Sequence, residues 1–220
     1  MRVEPGKVNV DESESDRPGL GGGAESRPAI MVVSGLPRSG TSLMMQMLAA
    51  GGVPVLTDGR RGADEDNPEG YFEWEPVLGL AGRPECLAAA EGKAVKVVSP
   101  LLRTLPPGWH YRVLFMLRPL AEVVASQLRM RQRRGRGEGD ARWLAGRLRQ
   151  HLRDTLDWVR TQRHITVLPV SYGGLVSGPA RWVARVVVFL GEGRVPHPER
   201  MARVVRPELH RQRGNGGRCG

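Results

Sequence analysis

The chain is 220 residues long, the size of one domain and too short for two full enzymatic ones. Hydrophobic residues make up 40% and charged residues 25%, a globular composition that excludes collagenous and coiled-coil architectures. Basic residues outnumber acidic ones 33 to 23, so the body should attract an anion: nucleic acid, acidic lipid or a phosphorylated small molecule.

Residues 1–28 read as a disordered tail. They hold a glycine triplet, Gly21, Gly22 and Gly23, and more acid than base, with nothing to bury. They also lack the apolar stretch of a signal peptide. Order is expected from residue 29. The run Ala29, Ile30, Met31, Val32, Val33 stops at Ser34 and Gly35 and has the character of a fully buried strand. Leu43, Met44, Met47 and Leu48 then recur at helical spacing until Gly51 and Gly52. Residues 57–70 form a polar loop, and a second helix is expected over 70–80.

Residues 94–98 are a second strand candidate, interrupted by Lys96. Residues 111–117 are a third, ending at Arg118 and Pro119. Proline is tolerated in a first helical turn, so the pattern predicts a helix over 119–131. After a break at 135–139, Leu144, Leu148, Leu152, Leu156 and Val159 form one stripe of a long helix. Residues 164–170 give a fourth strand, and 180–190 a further helix ending at Gly191. Strand and helix alternate four times. The expected fold class is therefore α/β: a mainly parallel sheet flanked by helices, in a single domain over 29–212, with 213–220 as a flexible tail.

Other classes fall away. No apolar run approaches the roughly 18 residues needed to cross a bilayer. The two cysteines, Cys86 and Cys219, cannot build a disulfide framework or a four-cysteine zinc site, and a reduced cytoplasm is the expected home. No Asp, Glu, His or Cys cluster has metal-ligand spacing, so no metal is expected.

In a parallel sheet, ligands sit at the C-terminal strand ends. The first of those ends carries Gly35, Leu36, Pro37, Arg38, Ser39, Gly40, Thr41, Ser42. Gly35 and Gly40 permit backbone conformations closed to other residues. The helix start that follows offers unpaired N–H groups and the positive end of its dipole, a cradle for an anion. The glycine spacing matches a Walker loop, but Thr41 stands where a nucleoside triphosphatase needs lysine, and the positive charge sits on Arg38 instead.

The segment Pro37-Arg38-Ser39-Gly40-Thr41-Ser42 resembles the 5′-phosphosulfate-binding loop of the sulfotransferases that use 3′-phosphoadenosine 5′-phosphosulfate (PAPS). The arginine variant is that of tyrosylprotein and many bacterial members. The family's second signature is an arginine ending a strand and a serine eight residues on, which together take the 3′-phosphate; Arg118 and Ser126 have this spacing. Arg118 offers a planar fork for phosphate oxygens, and Ser126 falls two turns along the next helix on the same face. Tyr172, after the fourth strand, corresponds to a tyrosine near the adenine. The match runs in order from residue 29 to about 191. The glycine-rich late loop of cytosolic members has no convincing counterpart in 213–217.

The resemblance implies sulfuryl transfer on a P-loop-type fold, with PAPS as co-substrate, no metal, and a small-molecule or glycan acceptor. Arg38 and Lys96 would stabilise charge on the transferring group. Lys96 interrupts a valine-rich strand, where a charge is costly without a partner. The family's cytosolic base, a histidine two residues after that lysine, is Val98 here. A glutamate between loop and second strand serves other branches, which points to Glu73 first and Glu69 second. The segment between Glu73 and Lys96 is short, which implies an open or reduced pocket, a pocket completed by a partner chain as in a homodimer, or a degenerate, inactive member. Two other classes compete: a P-loop kinase or nucleotide hydrolase, which Thr41 disfavours, and a nucleic-acid-binding module using the arginines of 129–136 and the basic tail from Arg200 on. The latter has little aromatic interleaving and no RNA motif, so no nucleic acid is expected.

Overall fold

In the computed structural model, residues 27–206 are described, except 65–66, 68–69 and 138. Most of the tail 1–28, the stretch 207–212 and the terminal 213–220 thus lie outside the described residues. The architecture is α/β: one four-stranded, all-parallel sheet in the order β2-β1-β3-β4, flanked by helices. Its strands are β1 (Ile30–Gly35), β2 (Ala94–Lys96), β3 (Tyr111–Leu117) and β4 (Ile165–Ser171).

Both faces of the sheet are covered, which is why its central strands read as continuous apolar runs. Side chains alternate along β1: Met31 and Val33 enter one core, Ile30 and Val32 the other. β3 repeats this with Leu114 and Met116 against Val113 and Phe115. The first core is closed by α1 (Thr41–Ala50) and α5 (Pro179–Leu190), through Met44, Met47, Leu48, Val183, Val186 and Leu190. The second is closed by α3 (Ala141–Arg160) and three 3₁₀ turns at Glu75–Gly79, Pro84–Ala90 and Ser99–Thr104. Each fully buried Leu, Met or Phe contributes about 1.5–3 kcal/mol to this packing.

The expected elements appear with two differences. The helix expected over 70–80 is only the 3₁₀ turn Glu75–Gly79; Pro76 sits in its first turn and glycine at its end, and it has no apolar stripe long enough to continue. The second strand stops at Lys96, because Val98 already leads into the 3₁₀ turn at Ser99. β4 is an edge strand, which explains how Pro169 fits within it: no further strand needs its missing N–H. α2 (Leu120–Arg133) starts just after Pro119, and α3 is capped by Asp140, whose carboxylate accepts from the amides of Arg142 and Trp143. α4 (Tyr172–Ser177) and α6 (Pro198–Met201) complete the helices among the described residues. None of these helices is long and apolar enough to cross a membrane.

Candidate active site

β1 ends at Gly35, and the chain turns through Leu36–Gly40 into α1. Gly35 has a φ of +142°, and a Cβ there would lie 2.7 Å from the Met116 carbonyl of β3. Gly40 has a φ of +103°, and its added Cβ would meet the Tyr172 ring at 2.4 Å. Both positions therefore require glycine for conformation and for space. Arg38 also lies in the left-handed region, at φ 76°, a strain of about 1 kcal/mol or more that holds its side chain across the loop. No side chain caps the first turn of α1. The Ser39 hydroxyl is buried without a hydrogen-bond partner. An uncapped helix start behind a glycine loop fits a phosphate or sulfate group.

Three hydrogen bonds tie this loop to the end of β3 and to α2. Arg38 Nε donates to Ser126 Oγ at 2.9 Å, Arg118 Nη1 to the Arg38 carbonyl at 3.3 Å, and Gln127 Nε2 to the Pro37 carbonyl at 2.9 Å. Arg118 is itself held from two more sides. Its Nε donates to Glu122 Oε2 at 2.8 Å, and its guanidinium stacks 4.6 Å from the Tyr172 ring centre. Burial pushes the Tyr172 phenol above its ordinary value, and the Arg118 charge partly offsets this.

The opposite wall is built around Lys96, the last residue of β2. Its side chain is buried, with the ammonium donating to the Tyr71 carbonyl and standing 3.9 Å from Glu73 Oε1. Burial pulls Lys96 down to about 8; Glu73 opposes the shift, while Arg61 and Arg38 add to it. Arg61 Nη1 lies 3.0 Å from the same Glu73 oxygen, and its guanidinium stacks 3.3 Å from the Tyr71 ring centre. The Tyr71 hydroxyl donates its one proton into the Asp64 carboxylate, lying 2.7 and 2.8 Å from its two oxygens, and burial followed by that bond raises its pKa. Asn67 Nδ2 donates to Ser42 Oγ at 3.0 Å, fastening the loop to the start of α1.

One cleft of about 580 Å³ joins the two walls. Pro37, Arg38, Gly40, Thr41, Ser42, Glu73, Lys96, Arg118, Ser126 and Tyr172 all line it. Ser39 lies buried beneath the loop rather than in the lining. Glu69 lies outside the described residues. Arg61, Asn67 and Tyr71 belong to the same cleft and had no sequence signal, since they sit in a loop without periodicity. Among the described residues no group of three or more His, Cys, Asp and Glu side chains is placed to hold a metal ion.

Neither a family model nor a curated protein matches this chain. Solved structures do. The sulfotransferase domain from the Synechococcus PCC 7002 olefin synthase is 19% identical, covering 89% of this chain and 92% of its own, with a TM-score of 0.52. The sulfotransferase domain from the curacin biosynthetic pathway is 14% identical over 88% of this chain and 94% of its own, with a TM-score of 0.48. A sugar kinase from Janibacter sp. HTCC2649 is 19% identical over 83% of this chain and 98% of its own, at a TM-score of 0.40. At such identities, the likeness concerns the fold.

Proposed function

We propose that this protein transfers a sulfuryl group from PAPS to a hydroxyl or amine acceptor and releases adenosine 3′,5′-bisphosphate. The observation that carries the reading is the junction of two neighbouring strand ends. Arg38 is hydrogen-bonded to Ser126 and Arg118 to the Arg38 carbonyl, so the two elements proposed to hold anions line one cleft. The fold likeness to the olefin synthase sulfotransferase domain supports the same reading.

In this scheme the amides and hydroxyls of 37–42 take the 5′-phosphosulfate, with the positive end of α1 behind them. Arg118 and Ser126 take the 3′-phosphate, and Tyr172 borders the adenine. The acceptor oxygen or nitrogen bonds to sulfur as the bond from sulfur to the 5′-phosphate oxygen breaks. That electron pair stays on the departing phosphate. Arg38 and Lys96 offset the charge that builds on the sulfuryl oxygens and the leaving group. The acceptor proton goes to Glu73. Its Oε1 faces Arg61 and Lys96, which leaves Oε2 for the acceptor. Glu69 is the other carboxylate of that segment.

Thermal melting with three ligands tests the proposal. Adenosine 3′,5′-bisphosphate should raise Tm without Mg²⁺, by the linkage of binding to unfolding. A rise only with ATP and Mg²⁺ would make the protein a nucleotide kinase or hydrolase instead. A rise with oligonucleotides that collapses steeply with salt would make it a nucleic-acid binder.

A further inference from the structure

Away from the cleft, α5 is apolar on more than the face it gives to the core. Val183, Val186 and Leu190 are buried against the sheet. Ala180, Ala184, Val187 and Val188 form a second stripe, at steps of three and four residues. Ala180 and Ala184 are exposed, and Val188 is 73% exposed. Between this stripe and α6 runs a groove of about 500 Å³, with Pro198 and Ala202 on its other side. A helix that is apolar on two sides has reason to be covered on both.

The two edges of this surface carry opposite charge. Glu192, just past the end of α5, and Glu199 of α6 lie in the groove. Glu199 already meets His197 at 3.8 Å and Arg200 at 3.6 Å, which makes Glu192 the carboxylate to test. With about 100° of turn per residue, Arg181 and Arg185 fall beyond Val188, on the side of the stripe away from Val183. Both are exposed, and Arg185 is stacked 4.4 Å from the Trp182 ring centre. Such a surface complements itself. A two-fold axis between the edges carries the arginines of one copy onto the glutamates of the other, and the apolar stripe onto itself.

Independently of the function proposed above, we infer that this face of α5 pairs with a second copy of the chain in a two-fold dimer. Arg181 of each copy is set against Glu192 of the other, around a centre that contains Val188.

Sedimentation equilibrium on the full chain, over roughly 1 to 200 µM, tests this. The average mass should climb from one copy toward two. Val188→Asp should weaken the dimer about tenfold or more, with Tm unchanged at the dilute end, where both proteins are monomers. R181E and E192R should each weaken it as well, because each sets like charges together. Mixing those two variants should restore association, since one copy then brings acids and the other bases to both contacts. The double variant R181E/E192R should restore it too, by exchanging the partners within each contact.

A mass of one copy at every concentration would overturn the inference, and so would a dimer indifferent to Val188→Asp. Charge reversals that fail to recover on mixing would remove the pairing of Arg181 with Glu192 and the two-fold arrangement built on it. A mass that climbs past two copies would also overturn it, because a closed two-fold contact stops at the dimer.

Discussion

The two walls of the cleft are made differently. On one, each residue sits on a regular element or directly at its end. The parallel register sets Gly35 of β1 beside Met116 of β3, so the glycine loop and Arg118 emerge level with each other. On the other, only Lys96 comes from a strand, in register with Val33. Its neighbours Arg61, Asn67, Tyr71 and Glu73 come from an irregular segment held by side-chain bonds to Ser42, Asp64 and each other. The scaffold thus fixes the proposed anion grip by topology, while the residues proposed for proton transfer depend on a loop fastened at a few points.

Breaking the strand-end wall should cost most. Arg118 and Glu122 form an ion pair with side chains 9% and 10% exposed. Arg118→Ala removes one buried partner of Glu122 and should destabilise the fold by about 3 kcal/mol, read by urea unfolding, and abolish bisphosphate binding. Adding Glu122→Ala should recover part of the stability and none of the binding; if it recovers binding too, Arg118 has no ligand role. Next comes Arg38→Ala, which should cost about 3 kcal/mol of transition-state stabilisation, read as kcat/KM in a sulfuryl-transfer assay. Turnover unaffected by that change would remove Arg38 from the chemistry. Gly40→Ala should destabilise by about 2 kcal/mol, since the new methyl meets the Tyr172 ring and the backbone stays at positive φ. Pairing it with Tyr172→Ala divides the effect into its steric and backbone parts.

The same contrast decides what the sequence could reveal. Arg38 stands out as the charge inside a glycine loop at a strand end; Arg118 and Ser126 are picked out by resemblance to a family signature, which the apolar run 111–117 places at the end of a strand. Lys96 was legible as a charge inside a valine run. Glu73 was selected by resemblance alone, and no periodicity could say which other residues of 57–73 would fold over it. Arg61 is one arginine among many, and its place beside Tyr71 depends on bonds between residues that only the folded loop brings together. The expected helix over 70–80 failed for a related reason. Pro76 and Gly79 leave room for just one short turn, and Leu78 stays exposed.

The gentlest probe of the loop-built wall is pH. Lys96 is held down to about 8 by burial, with Arg61 and Arg38 adding to the effect and Glu73 opposing it. If the ammonium is what stabilises the sulfuryl charge, kcat/KM should fall about tenfold per pH unit above 8, because it reports the free enzyme. The limb in kcat should sit at higher pH, since a bound anion favours the charged amine. Stability should move the other way. Between about 8 and 10.5 the unfolded chain binds more protons at this site than the folded one, so unfolding free energy should rise with pH across that window. Lys96→Arg, which does not titrate there, should remove both the alkaline limb of kcat/KM and the stability gain. Loss of the stability gain with the kinetic limb intact would leave Lys96 a buried charge with no part in transfer, and would move the electrostatic work on this wall to Arg61.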